Sequence, residues 1–118
     1  MSAEQNVAEQ VLELVGSDAE AEVTVNAGTS ALTRFANSFI HQNVGEEGAT
    51  VSLRLAVDGR VASGTTTNLD SDALDRFVAD TNEAARVQPV DPDCPGLVAP
   101  TAIPDLEHFD PAAADASP

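Results

Sequence analysis

Hydrophobic residues recur along this chain with two periods, and the alternation between them sets the expected order of elements. Val7, Val11, Leu14 and Val15 are spaced for a helix from about Ala3 to Val15, with Gly16 placed to cap it. Ala21, Val23, Val25 and Ala27 then alternate with Glu20, Glu22, Thr24 and Asn26, the period of a strand with one buried face. Turn chemistry at Gly28-Thr29-Ser30 separates this strand from LTRFANSFIHQN, Leu32 to Asn43. After the Gly45-Glu46-Glu47-Gly48 loop, Val51, Leu53, Leu55 and Val57 form the clearest one-sided strand. Asp58-Gly59 favours a tight hairpin turn, so Arg60 to Thr67 should return antiparallel.

A second helix should begin around Leu69-Asp70-Ser71, with Asp70 or Ser71 accepting free amide hydrogens, and bury Leu74, Phe77, Val78, Thr81 and Ala85. It should end near Val87, because Pro89 disfavours helical geometry in the residue before it. The expected fold class is therefore α+β: an antiparallel sheet of about four strands with two helices packed mainly on one face, followed by a Pro-rich extended tail. All seven prolines lie from Pro89 onward, which divides the chain into a folded part, residues 1–88, and a tail or linker, residues 89–118.

LTRFANSFIHQN is unusual in projecting large apolar groups both ways: Phe35 and Phe39 on the odd positions, Leu32 and Ile40 on the even ones. Helices on one side of a sheet give one covering layer, so the other is expected from a partner surface. The same stretch carries a dense polar set, Arg34, Asn37, His41, Gln42 and Asn43. These residues suit either a strand within an oligomer interface or direct hydrogen bonding to an extended peptide.

Charge and composition narrow the class. Twenty acidic side chains against five arginines leave a net charge of −15, which opposes binding to nucleic acid or an anionic membrane. With 118 residues and 42% hydrophobic content, one domain with a real core is expected. No stretch approaches the ~20 apolar residues of a membrane span, and the start of the chain lacks the pattern of a secretory leader, so the expected location is the cytoplasm. Cys94, the only cysteine, excludes an internal disulfide.

No catalytic constellation or metal site is expected within this chain. His41 and His108 lack ligand spacing, and Cys94 between Asp93 and Pro95 reads as an inert thiol. His41 reads as a strand histidine satisfied by hydrogen bonds. Gly45 and Gly48 lack phosphate-loop context.

The order of elements, with LTRFANSFIHQN, the VSLRLAVDGRVASGTTT hairpin, the LD-capped helix and the DPDCPGL tail, resembles the N-terminal domain of the TldD/PmbA family, also called modulators of DNA gyrase. The resemblance runs from about Val7 to Leu97. It implies a metallopeptidase assembly in which related subunits pair with themselves or each other and process peptides or degrade unfolded chains. In that family zinc is held by an HExxxH helix and a later cysteine of a C-terminal domain. Neither motif occurs here, Cys94 does not match that cysteine, and some members lack the zinc motif. Many relatives carry a glycine-rich run where this chain has Gly48 to Arg54. The resemblance thus implies a non-catalytic domain that lines the substrate cavity and an oligomer interface, with zinc only in a missing C-terminal domain. The alternative is a self-standing interaction module or scaffold without peptidase activity.

Overall fold

The computed structural model describes residues 2–117. The elements are helix α1 (Ala3–Val15), strands β1 (Glu20–Ala36), β2 (Phe39–Val57) and β3 (Arg60–Thr66), helix α2 (Ser71–Val87) and the single turn α3 (Pro111–Ala114). The chain forms two compact units, Met1–Gly28 with Glu47–Leu97, and Thr29–Glu46 with Val98–Pro118. The fold is α+β, with one antiparallel sheet in the order β1-β2-β3.

In the first unit the alternation of β2 does what its pattern predicts. Val51, Leu53, Leu55 and Val57 lose essentially all solvent contact on one face, where they meet Val11 of α1 and Leu74, Val78 and Ala85 of α2. Full burial of each Leu or Val side chain stabilises by about 1.5–3 kcal/mol. Ala21, Val23 and Val25 of β1 pack against the same cluster from the side. Both helices thus cover one face, as the sequence implies.

β3 returns antiparallel to β2, with Val57 opposite Arg60 and Val51 opposite Thr66. The turn between them places Asp58 and Gly59 at φ of 50° and 77°. Successive positive φ angles of this kind match the twist of a two-residue hairpin, and Gly and Asp tolerate them at low cost.

The helix ends show how local chemistry sets the boundaries. Ser2 and Gln5 form a reciprocal capping box on α1: the Ser2 hydroxyl accepts the Gln5 amide at 3.2 Å, and the Gln5 side chain accepts the Ser2 amide at 2.8 Å. The neighbouring Glu4 carboxyl is held below its ordinary pKa by hydrogen bonding to its own backbone and, secondarily, to Ser2. Val7, Val11 and Val15 face the core, whereas Leu14 lies outside the stripe, partly exposed. Asp70 occupies the N-cap of α2, but its side chain makes no capping bond. Instead Asn68 Oδ1 accepts the Asp70 amide at 3.0 Å, and the Ser71 hydroxyl accepts from Gln10 of α1.

The sheet differs from the sequence expectation in how its strands are divided. It has three strands rather than about four, because Gly28-Thr29-Ser30 and Gly45–Gly48 lie within β1 and β2 instead of breaking them. Neither Gly28, Gly45 nor Gly48 adopts a positive φ, so no turn is built there. The break falls inside LTRFANSFIHQN, at Asn37 and Ser38, whose φ of 51° and 63° reproduce the geometry of the Asp58-Gly59 turn.

Gly64 of β3 is fixed by close approach of α2. A Cβ at this position would stand 2.7 Å from Thr81 Oγ1 and 2.9 Å from the Phe77 ring. The Thr81 hydroxyl is committed to the Phe77 carbonyl at 2.8 Å in a partly buried setting, so the helix cannot yield at one atom alone. Gly64→Val is expected to destabilise the first unit by about 1–3 kcal/mol through overpacking, read as a lowered urea midpoint at unchanged m.

Candidate functional site

All five polar residues singled out from sequence lie on one hairpin of the second unit, the segment Thr29–Glu46. Arg34 stands on β1, Asn37 in the turn, and His41, Gln42 and Asn43 on β2. Each is exposed. Asn37 has a backbone role as the first left-handed residue of the turn. Asn43 Oδ1 accepts the Thr33 hydroxyl at 3.1 Å, a side-chain tie between the two strands. The His41 ring makes no hydrogen bond among the described residues, in contrast with its reading as a strand histidine satisfied by the protein. Arg34 makes no salt bridge among the described residues; the one carboxylate–guanidinium pair found there joins Arg54 to Glu22 at 3.0 Å in the first unit.

The apolar residues of the same hairpin are exposed to an unusual degree. Phe35 and Phe39 are 75% and 73% exposed, and Leu32 and Ile40 are 49% and 56%. Neither of the two sets that project from LTRFANSFIHQN is buried. Val98, Ile103, Leu106 and Phe109, in the other segment of this unit, are likewise exposed. Among its described residues that segment holds one helical turn, where Asp110 Oδ1 accepts the Ala112 amide at 2.9 Å and Pro111 fits the first helical position.

The first unit carries two open clefts. One of about 640 Å³ is lined by small and neutral residues, including Ala27, Gly28, Gly48, Ala49 and Thr67, and Glu47 is its only ionisable side chain. A smaller one of about 350 Å³ lies between Ala56, Glu20, Asp58 and residues 94–96 of the Pro-rich segment. No group of three His, Cys, Asp or Glu side chains among the described residues is arranged to hold a metal ion. No helix among the described residues is long and apolar enough to cross a membrane.

The sequence reading treated LTRFANSFIHQN as one strand and missed the turn within it. The available signal was Asn37-Ser38 between Ala36 and Phe39, since Asn enters the left-handed region readily and Ser forms local turn bonds. It was masked because β-propensity is strong on both sides of the pair.

Helices on one face of an antiparallel sheet define an α+β domain, and the Thr29–Glu46 segment adds an exposed apolar hairpin. Residues 21–85 match the family described as PmbA/TldA metallopeptidase domain 1, and this covers more than half of the chain. The chain belongs to the PmbA/TldD family. It is similar in fold to TldE from Thermococcus kodakarensis, with a TM-score of 0.75 and 15% identity over 98% of this chain and 26% of that one. It is similar also to a putative modulator of DNA gyrase from Bacteroides thetaiotaomicron, with a TM-score of 0.76 and 20% identity over 99% of this chain and 28% of that one. The chain thus spans about a quarter of the length of these two solved relatives. No curated protein matches it in sequence.

The Asn37-Ser38 turn allows a direct check of the hairpin. Ser38 is a non-glycine residue at a φ of 63°, so Ser38→Gly should relieve about 0.5–1 kcal/mol of local strain. The expected result is slower amide hydrogen exchange in residues 32–43, with exchange in β3 and α2 unchanged.

Proposed function

We propose that this chain acts as the non-catalytic first domain of a PmbA/TldD-type metallopeptidase, with the Thr29–Glu46 hairpin as its docking element. The observation that carries this reading is the exposure of Leu32, Phe35, Phe39 and Ile40 on one two-stranded segment. A two-stranded hairpin is marginal in water unless a further layer covers it, and contiguous exposed aromatics mark interaction surfaces. The length of the two solved relatives, about four times that of this chain, supports the presence of further domains for such a layer to come from. On this reading Phe35 and Phe39 supply the apolar centre of the contact, against a related subunit or a zinc-bearing C-terminal domain. Arg34, Asn37, His41, Gln42 and Asn43 form its polar rim and one wall of the cavity in which a peptide substrate lies. Zinc and the catalytic groups belong to that other domain, and the setting is cytoplasmic.

Two outcomes test the proposal. The 118-residue chain alone should hydrolyse no peptide, so chelator-sensitive cleavage by the purified chain overturns the non-catalytic assignment. The Phe35→Ser/Phe39→Ser double variant should weaken association with a zinc-bearing family domain, followed by analytical ultracentrifugation, by more than about tenfold, as for loss of a hot spot. Its first unit should melt as in the parent, and undiminished association overturns the docking role.

A further inference from the structure

The Pro-rich segment after α2 begins as part of the first unit, and one side chain holds its far end. Residues 89–97 leave the helix, and the Arg60 guanidinium donates to the Gln88 carbonyl at the point of departure. The Asp91 amide then donates to the Gly59 carbonyl at 2.8 Å, and the Cys94 amide to the Asp91 carbonyl at 3.2 Å, which folds the segment back in a turn. At the end, the Leu97 amide donates to Glu20 Oε2 at 2.5 Å. Cys94, Gly96 and Leu97 are half-buried, whereas Val98, the next residue, is 85% exposed. The first unit also ends at Leu97.

The second face of the sheet gives this segment something to cover. Ala56 points away from the helices, on the same side as Arg54 and Ser52, yet it is only 7% exposed. Cys94, Pro95 and Gly96 line the cleft above it, together with Glu20 and Asp58. Gly96 has a φ of 79°, and a Cβ there would stand 3.0 and 3.1 Å from the two Glu20 carboxylate oxygens. A side chain at 96 would both strain this backbone and push the Glu20 carboxylate away by a few tenths of an ångström, so glycine favours the close approach.

We propose that Glu20 is a latch: its carboxylate, by accepting the Leu97 amide, pins residues 91–97 as a strap across the open face of the sheet, and its release exposes Ala56 and the Cys94 thiol. The latch stands at the last residue of the unit, so it fixes where the chain leaves the folded part. The side chain that does this lies at the start of β1, 77 positions earlier in sequence.

Cys94 is the only cysteine and serves as an internal reporter. The test is the rate at which a thiol reagent labels Cys94 in the full chain under native conditions, together with amide exchange at Leu97. Glu20→Ala should raise both by about tenfold, the factor lost with one hydrogen bond to a charged group. Gly96→Ala should raise them as well, by forcing the segment off the carboxylate. Glu22→Ala, which removes the Arg54 partner on the same strand but leaves Glu20 in place, should change neither. Unchanged labelling and exchange in both Glu20→Ala and Gly96→Ala overturn the proposal. An equal rise in Glu22→Ala also overturns it, because the effect would then be general loosening of β1. Thermal unfolding followed by circular dichroism confirms that each variant is folded when labelled; if Glu20→Ala unfolds, Gly96→Ala decides alone.

Discussion

The row Val51, Leu53, Leu55 and Val57 is the contact on which the other elements depend. Residues of both helices share its cluster, and every fully buried side chain among the described residues of the first unit belongs to that cluster. α1 contributes a single fully buried residue, Val11, so its place is held by this contact and by its packing on α2 more than by its own stability. A 13-residue helix is marginal alone in water, and tertiary burial of its stripe is what makes it persist. β3 is in turn held in register by the Asp58-Gly59 turn and kept close to α2 by Gly64. Removing the row would leave two short helices and a hairpin with nothing to pack against.

Where a segment buries one face, its sequence states its structure plainly. The alternation in β2, the Asp58-Gly59 turn and the stripe of α2 were all legible because burial on one side forces the period. LTRFANSFIHQN has no such asymmetry. With Phe35, Phe39, Leu32 and Ile40 all exposed, there was no buried face to fix its register, and the same letters read equally well as one strand or as two joined at Asn37-Ser38. The glycines misled for a related reason: Gly28, Gly45 and Gly48 mark turns by composition, but here they sit in extended backbone. The candidate residues Arg34, Asn37, His41, Gln42 and Asn43 stand out because they cluster in sequence, whereas their arrangement was not legible, since it depends on the turn. The strap was invisible for another reason. Its anchor joins Glu20 to Leu97, and neither a carboxylate on a strand nor a leucine among prolines signals the other.

The two faces of the sheet in the first unit are covered by different chemistry. Helices cover one with aliphatic side chains. On the other, Arg54 and Glu22 make a half-exposed ion pair worth at most about 1 kcal/mol, and Ser52 approaches Thr65. Ala56 is the exception on that face, small enough for backbone to pass over it. A polypeptide segment rich in proline suits this use, since it lies extended at little entropic cost and its carbonyls and few amides can be satisfied one at a time. The three prolines between residues 89 and 95 thus mark a covering layer rather than the end of structure.

Acidity and apolar exposure act in opposite directions on how this chain associates. A charge of −15 on a chain of 12.2 kDa keeps like molecules apart. Exposed Phe35 and Phe39 favour burial against something. Two copies meeting through their hairpins gain the second effect but bring together the full charge of both. A partner with fewer acids gains the same burial without that repulsion. Screening by salt weakens the repulsion and leaves the apolar term largely intact, so the balance between self-pairing and pairing with a different surface shifts with ionic strength.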